Sequence, residues 1–118
     1  MATKRVFLEI GQGNDLHGRD YTKAAVRAVE DAIHHSSLPV LHTLGIDPAA
    51  MQVDVTIGVQ QPDQVNRDRV KAALPHGRVT VNAVKGGLDI ENEGTNDVSV
   101  IADAAIAVHL DLPGAAQK

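Results

Sequence analysis

RVFLEIGQGNDLHG, residues 5–18, is the stretch whose reading decides the fold. Arg5 to Ile10 alternates, with Val6, Leu8 and Ile10 on one face, the pattern of a strand with one buried side. Gly11 to Gly18 then gathers three glycines, Asp15 and His17, and reads as a loop. Asp20 is a good N-cap. Thr22 to His35 carries Ala25, Val29, Ala32 and Ile33 at helical spacing, which predicts a helix that Leu38-Pro39 ends. A strand that leaves through a glycine loop into a helix can aim backbone N–H groups at an anion.

The rest of the chain extends this β-α opening. Gln52 to Val59 is a strand with Val53, Val55, Ile57 and Val59 facing one way. Pro62 and Asp63 open a second helix, Asp63 to Leu74, which Pro75-His76-Gly77 stops. Arg78 to Lys85 is a strand that Gly86-Gly87 breaks or bulges. Leu88 to Ile90 is extended, and Glu91 to Asp97 is an acidic loop. From Val98 to Leu112, every second residue is apolar, which predicts one long strand over a helix. The connector before Pro48 carries Leu41, Leu44 and Ile46 and is expected to pack on the domain. The reading is an α+β fold in the order β-α-β-α-β-β. It has a single sheet of four to five strands with two helices packed on one face. Residues 1–118 form one domain, with a core over 5–112 and a frayed tail over 113–118.

Composition narrows the function. The 118 residues hold no cysteine, so disulfides, iron–sulfur clusters and thiol catalysis are excluded. The formal charge is -4 and no Lys/Arg cluster resembles a phosphate-backbone footprint, which argues against nucleic acid. No apolar run suits a membrane span or a signal peptide, so a cytoplasmic protein without membrane association is expected. Phe7 and Tyr21 are the only aromatics, so the core rests on Val, Ile, Leu and Ala. A small core and a sheet covered on one face both predict a homo-oligomer.

The candidate chemistry centres on Asp15 and His17. In extended backbone, residues two apart point to one side, so the pair could share a divalent cation, zinc or manganese. Further ligands could come from His34, His35, His42, a carboxylate of the 89–97 loop, or another subunit. Alternatively, Asp15 and His17 form a metal-free acid–base pair, or Asp15 merely caps a turn. Gly11, Gly13 and Gly18 would cradle a small anionic molecule, with Lys23 and Arg27, one helical turn apart, meeting its charge. Lys85 is a third catalytic candidate, as an anion contact or a desolvated base, and Gly86 and Gly87 bring backbone close to a ligand or a strand. The dinucleotide fingerprint fails, because Leu16 stands where its third glycine belongs. A Walker loop fails too, because Arg19-Asp20 replaces Lys-Ser/Thr. Ser36-Ser37 beside His34-His35 lacks an orienting carboxylate, so it is not a nucleophile triad.

Gly11-x-Gly13-x-Asp15-x-His17 resembles the opening of methylerythritol cyclodiphosphate synthase, where Asp and His ligate zinc. That resemblance covers seven residues and implies a metal role for Asp15 and His17 alone. A broader one runs from Phe7 through Gly18, over Thr22 to Ile33, and to Gly86-Gly87-Leu88. It resembles a conserved-hypothetical family with an N-terminal GxGxDxHG motif, found in bacteria and, with a long N-terminal extension, in plants. It implies that Gly11, Gly13, Asp15, His17 and Gly18 are defining residues, and it implies no substrate. Three functions stay open. The leading expectation is a divalent-metal-dependent hydrolase, lyase or cyclase. The others are an oligomeric, non-catalytic small-molecule or metal binding module, and a metal-free amidohydrolase- or isomerase-like enzyme using an Asp–His pair.

Overall fold

The computed structural model describes residues 3–34, 43–74 and 77–111. Its elements are β1 (Thr3–Asp15), α1 (Tyr21–His34), β2 (Met51–Val59), α2 (Arg67–Ala72), β3 (Arg78–Lys85), β4 (Leu88–Glu91) and β5 (Val98–Asp111). They form one five-stranded sheet in the order β1-β5-β2-β3, with β4 also on β5. β5 is antiparallel to β1, β2 and β4, while β2 and β3 are parallel. β1, β2 and β3 therefore run the same way, and β5 separates β1 from β2. The order is β-α-β-α-β-β-β: the extended Leu88–Glu91 pairs with Val98–Ile101 as a fifth strand, within the four to five expected.

β5 shows why the period-two pattern was decisive. Val98, Val100, Ala102, Ala104, Ile106, Val108 and Leu110 are all buried on the face that the helices cover. Met51, Val53, Val55, Ile57 and Val59 of β2 join them, and Val81 of β3 extends the layer. α1 packs across β1 and β5, and α2 leans on α1 and β3. Asp20 caps α1 as expected, its Oδ1 accepting from Lys23 N at 2.9 Å. The second helix is shorter than its pattern. Pro62–Gln64 forms a 3-10 turn, and Asn66 then caps α2 by accepting from Arg69 N at 3.2 Å. In the connector, Ile46 packs on the core but Leu44 is exposed. Leu41, the Leu38-Pro39 stop, Pro75-His76 and Leu112 lie outside the described residues.

β1 departs most from the sequence reading. The strand does not stop at Ile10 but continues through Asp15, so Gly11 and Gly13 are strand residues and not a loop. Its inward residues are Phe7, Glu9, Gly11, Gly13 and Asp15, because these pair with the inward residues Val108, Ile106, Ala104, Ala102 and Val100. Leu8 and Ile10, expected in the core, are 44% and 70% exposed on the opposite face. A bulge between Arg5 and Phe7 shifts the register. The physical reason for the inversion is α1. A Cβ on Gly13 would lie 2.5 Å from Ala24 O, 2.7 Å from Arg27 C and closer still to Ala28 N. One on Gly11 would lie 2.9 Å from Ala32 Cα and closer still to Ala28 O. The two glycines form a notch that seats the helix backbone, with Ala24, Ala25, Ala28 and Ala32 fully buried against the sheet.

Candidate functional site

The elements converge where β1 ends, α1 begins and the β4–β5 hairpin turns. Asp15 is the last residue of β1 and is 3% exposed. Its Oδ2 accepts from Asp20 N at 3.0 Å, and its Oδ1 lies 3.8 Å from Lys23 Nζ and 3.7 Å from Arg27 Nη1. A carboxylate at a helix N-terminus meets the positive end of the helix dipole. The anion that the helix N-terminus and the basic pair Lys23 and Arg27 hold is thus the protein's own Asp15. Arg27 also donates to Asn14 O at 2.7 Å.

Asp89 mirrors this arrangement. Asp15 pairs with Val100, and Val100 pairs with Asp89, so both carboxylates stand on the helix-covered face. Two strand spacings, about 10 Å, separate them. Tyr21, the first residue of α1 and 5% exposed, donates its hydroxyl to Asp89 Oδ2 at 2.5 Å. Burial, the hydrogen bond to Asp89 and that carboxylate's charge push the Tyr21 phenol up to about 12, against a small opposing effect of Arg19. The N-terminus of α1 is therefore pinned on both sides.

His17 does not join Asp15. Its side chain is 82% exposed, while that of Asp15 is 4% exposed. Its partner is Asp97, at the end of the acidic loop: His17 Nδ1 is 2.5 Å from Asp97 Oδ2. A carboxylate can only accept, so Nδ1 carries the hydrogen, and in the uncharged ring the lone pair is on Nε2. Asp97 Oδ1 accepts from Gly18 N at 3.1 Å and from Val98 N at 3.1 Å. The His17 hydrogen bond first, and these N–H groups with it, hold Asp97 below the usual carboxylate range. Gly18 has φ 97° and turns the chain so that His17 and its own N–H reach the same carboxylate.

Arg19 follows with φ 51°, the one non-glycine residue in the left-handed region among those described. That conformation costs free energy in a residue with a Cβ and needs surroundings that impose it. Arg19 and Asp97 line an open recess of about 330 Å³ with Glu91 and Glu93. The recess sits against the hairpin turn, where Asn92 N donates to Asp97 O at 3.0 Å.

The other candidates fall elsewhere. Lys85 ends β3, three strand spacings from β1, or about 14 Å, so it is not brought to His17. Gly86 and Gly87 pack against strands. β2 leaves the sheet after Val59, and these glycines step the chain across so that β4 continues beside β5. A Cβ on Gly87 would lie 2.9 Å from Gly58 O and closer to Ile101 O. Gln60 Nε2 donates to both glycine carbonyls, at 3.1 and 3.2 Å. His34 ends α1, a helix length of about 20 Å from the Gly18 turn. His35, His42 and His76 lie outside the described residues. Among the described residues, no three His, Asp or Glu side chains group as metal ligands. No helix among them is long and apolar enough to cross a membrane. The sequence reading missed the roles of Asp97, Arg19 and Tyr21. Asp97 had one signal, as a carboxylate of the loop proposed to complete the His17 site.

The chain belongs to the conserved hypothetical protein family Lin0512_fam, whose model matches residues 5–108. No match is found among curated proteins. Among solved structures it is similar to the crystal structure of an FtsZ-like protein of unknown function from Nostoc punctiforme PCC 73102. The two are 38% identical with a TM-score of 0.84, over 95% of this chain and 99% of the other.

Proposed function

We propose that the protein is a metal-free acid–base enzyme, isomerase- or amidohydrolase-like, whose working group is the His17 imidazole oriented by Asp97. The observation that carries this reading is the 2.5 Å contact of Nδ1 with Asp97 on an exposed imidazole, which in its uncharged form has its lone pair on Nε2. A carboxylate behind an imidazole fixes its tautomer and stabilises the imidazolium that forms when Nε2 takes a proton. Arg19, held in a strained conformation at the recess, meets a carboxylate of the substrate. Glu91 and Glu93 line the same recess and suit an ammonium group. The substrate class is therefore a small molecule bearing both charges, an amino acid or a short peptide, and not a simple anion.

The test is a panel of amino acids and dipeptides in D2O, followed by proton NMR. It reports both exchange at a carbon next to a carbonyl and amide cleavage. Wild-type protein treated with chelator should act on a member of the panel. His17→Ala and Asp97→Ala should each lose activity by about 10²- to 10⁴-fold with the circular dichroism spectrum unchanged. Activity that survives His17→Ala refutes the reading. The carboxylate–histidine pair also favours a second reading, a divalent ion on Nε2 with Asp97 as the group behind it. Activity lost to chelator and restored by zinc or manganese selects that one.

A further inference from the structure

We propose that the helix-free face of the sheet is a self-complementary interface, and that a second copy of this chain packs on it face to face. The inference is independent of the reading of His17. Strand register places the outward side chains in rows across the sheet. One row is Arg5, His109, Gln52 and Arg78. The next are Leu8, Ala107, Asp54 and Thr80, then Ile10, Ala105, Thr56 and Asn82. Gln12, Asp103, Gly58 and Val84 follow. Ile10 at 70% and Leu8 at 44% exposure stand beside the two small alanines.

Two in-plane twofold axes can stack this face on itself. An axis along the strands, centred on the four-stranded face, places the Leu8 and Ile10 edge over polar Thr80 and Asn82. An axis across the strands, between the rows of Ala105 and Ala107, exchanges neighbouring rows instead. Leu8 then lies over Ile10 of the second copy, and Ala107 over its Ala105. His109 lies over Asp103 of the second copy, and Arg5 lies over Gln12, one strand spacing from that Asp103. Of the two, this axis puts apolar on apolar and brings the Arg5 guanidinium beside the Asp103 carboxylate of the second copy. The alanines let the two sheets approach in the middle, and aligned packing of this kind is a common sheet-on-sheet geometry. Four strands at about 4.8 Å and eight residue steps along β5 at about 3.3 Å give roughly 500 Å² per copy. Two copies bury roughly 1,000 Å², the size of a weak, reversible interface.

Sedimentation velocity of the full chain across a concentration series tests the interface. A dimer is expected. Asp103→Arg and Arg5→Glu each place like charges across the axis and should weaken it at least tenfold. The double variant Arg5→Glu/Asp103→Arg restores the attraction with its sign reversed and should recover the dimer. Ile10→Asp should give a monomer with an unchanged circular dichroism spectrum. A wild-type chain that stays monomeric overturns the proposal. So does an oligomer indifferent to Ile10→Asp, or a double variant that dissociates as readily as the single ones.

Discussion

Gly13→Ala adds one methyl group under a helix whose backbone has no room to give way. The added Cβ would lie 2.5 Å from Ala24 O and 2.7 Å from Arg27 C. Ordinary contact begins at about 3.5 Å, so α1 has to rise by about 1 Å. A gap of about 0.5–1 Å already forfeits a quarter to a half of the dispersion attraction across it. α1 buries Ala24, Ala25, Ala28, Val29 and Ala32 on that layer, and all of them lose contact together. Overpacking costs about 1–3 kcal/mol. Because the obstruction is backbone, the upper part of that range applies. Replacing a strand glycine returns about 0.5–1 kcal/mol of chain entropy. The net destabilisation is about 2 kcal/mol, read as a lower urea midpoint at unchanged slope. Adding Ala28→Gly should not rescue it, because the clash is with main-chain atoms and not with the Ala28 side chain. A Gly13→Ala midpoint equal to wild type would refute the seating of α1 on this notch. So would rescue by Ala28→Gly.

Asp15→Ala should cost about 2 kcal/mol in the same urea assay, because it removes a charged, buried acceptor from Asp20 N and the neighbour of Lys23 and Arg27. Tyr21 is the only tyrosine and there is no tryptophan, so absorbance near 295 nm follows one residue. Its phenol should titrate near 12, well above its ordinary 10.0. The neutral phenol is the form the fold favours. Its stabilisation is therefore complete below pH 10 and is lost as pH rises from 10 through 12. Tyr21→Phe should remove that alkaline loss; a Tyr21 midpoint near 10 would contradict the buried bond to Asp89. Asp97 has the opposite sign. Its pKa lies below the ordinary 3.8, so its hold on His17, Gly18 and Val98 is complete above that value. It is lost as pH falls through the lowered pKa. The amide resonances of Gly18 and Val98 should shift together in that acid window, and Asp97→Ala should abolish the shift.

The legible parts of the fold are those where one face is apolar and the other polar. β2 and β5 follow their period-two patterns almost to the residue, β3 keeps its expected bounds, and α1 follows its helical spacing and its Asp20 cap. β1 was misread because its inward positions at 11 and 13 carry no side chain at all. Burial there is by the helix backbone, and glycine in sequence looks like loop. With a carboxylate at 9 and glycines at 11 and 13, Phe7 alone signalled the inward face, while the alternation of Leu8 and Ile10 pointed outward. α2 is short because Pro62–Gln64 closes a 3-10 turn before Asn66 restarts the chain. At the site, Asp15 and His17 were found by spacing. Their separation was not, because the Gly18 turn and the α1 N-terminus draw Asp15 inward. The partner of His17 lies 80 residues away along the chain. Only the pairing of β1 with β5 brings it near, and no local pattern encodes that.

The measurement that bears most directly on the account is a long-range proton–nitrogen NMR spectrum of the histidine rings, with His17 assigned by its loss in His17→Gln. His17 should appear, at neutral pH and in its uncharged form, as the tautomer with hydrogen on Nδ1 and a bare Nε2. Its Nδ1 proton should sit well downfield, and both signs should vanish in Asp97→Ala. An uncharged His17 with hydrogen on Nε2, unchanged by Asp97→Ala, would contradict the oriented pair on which the proposed chemistry depends.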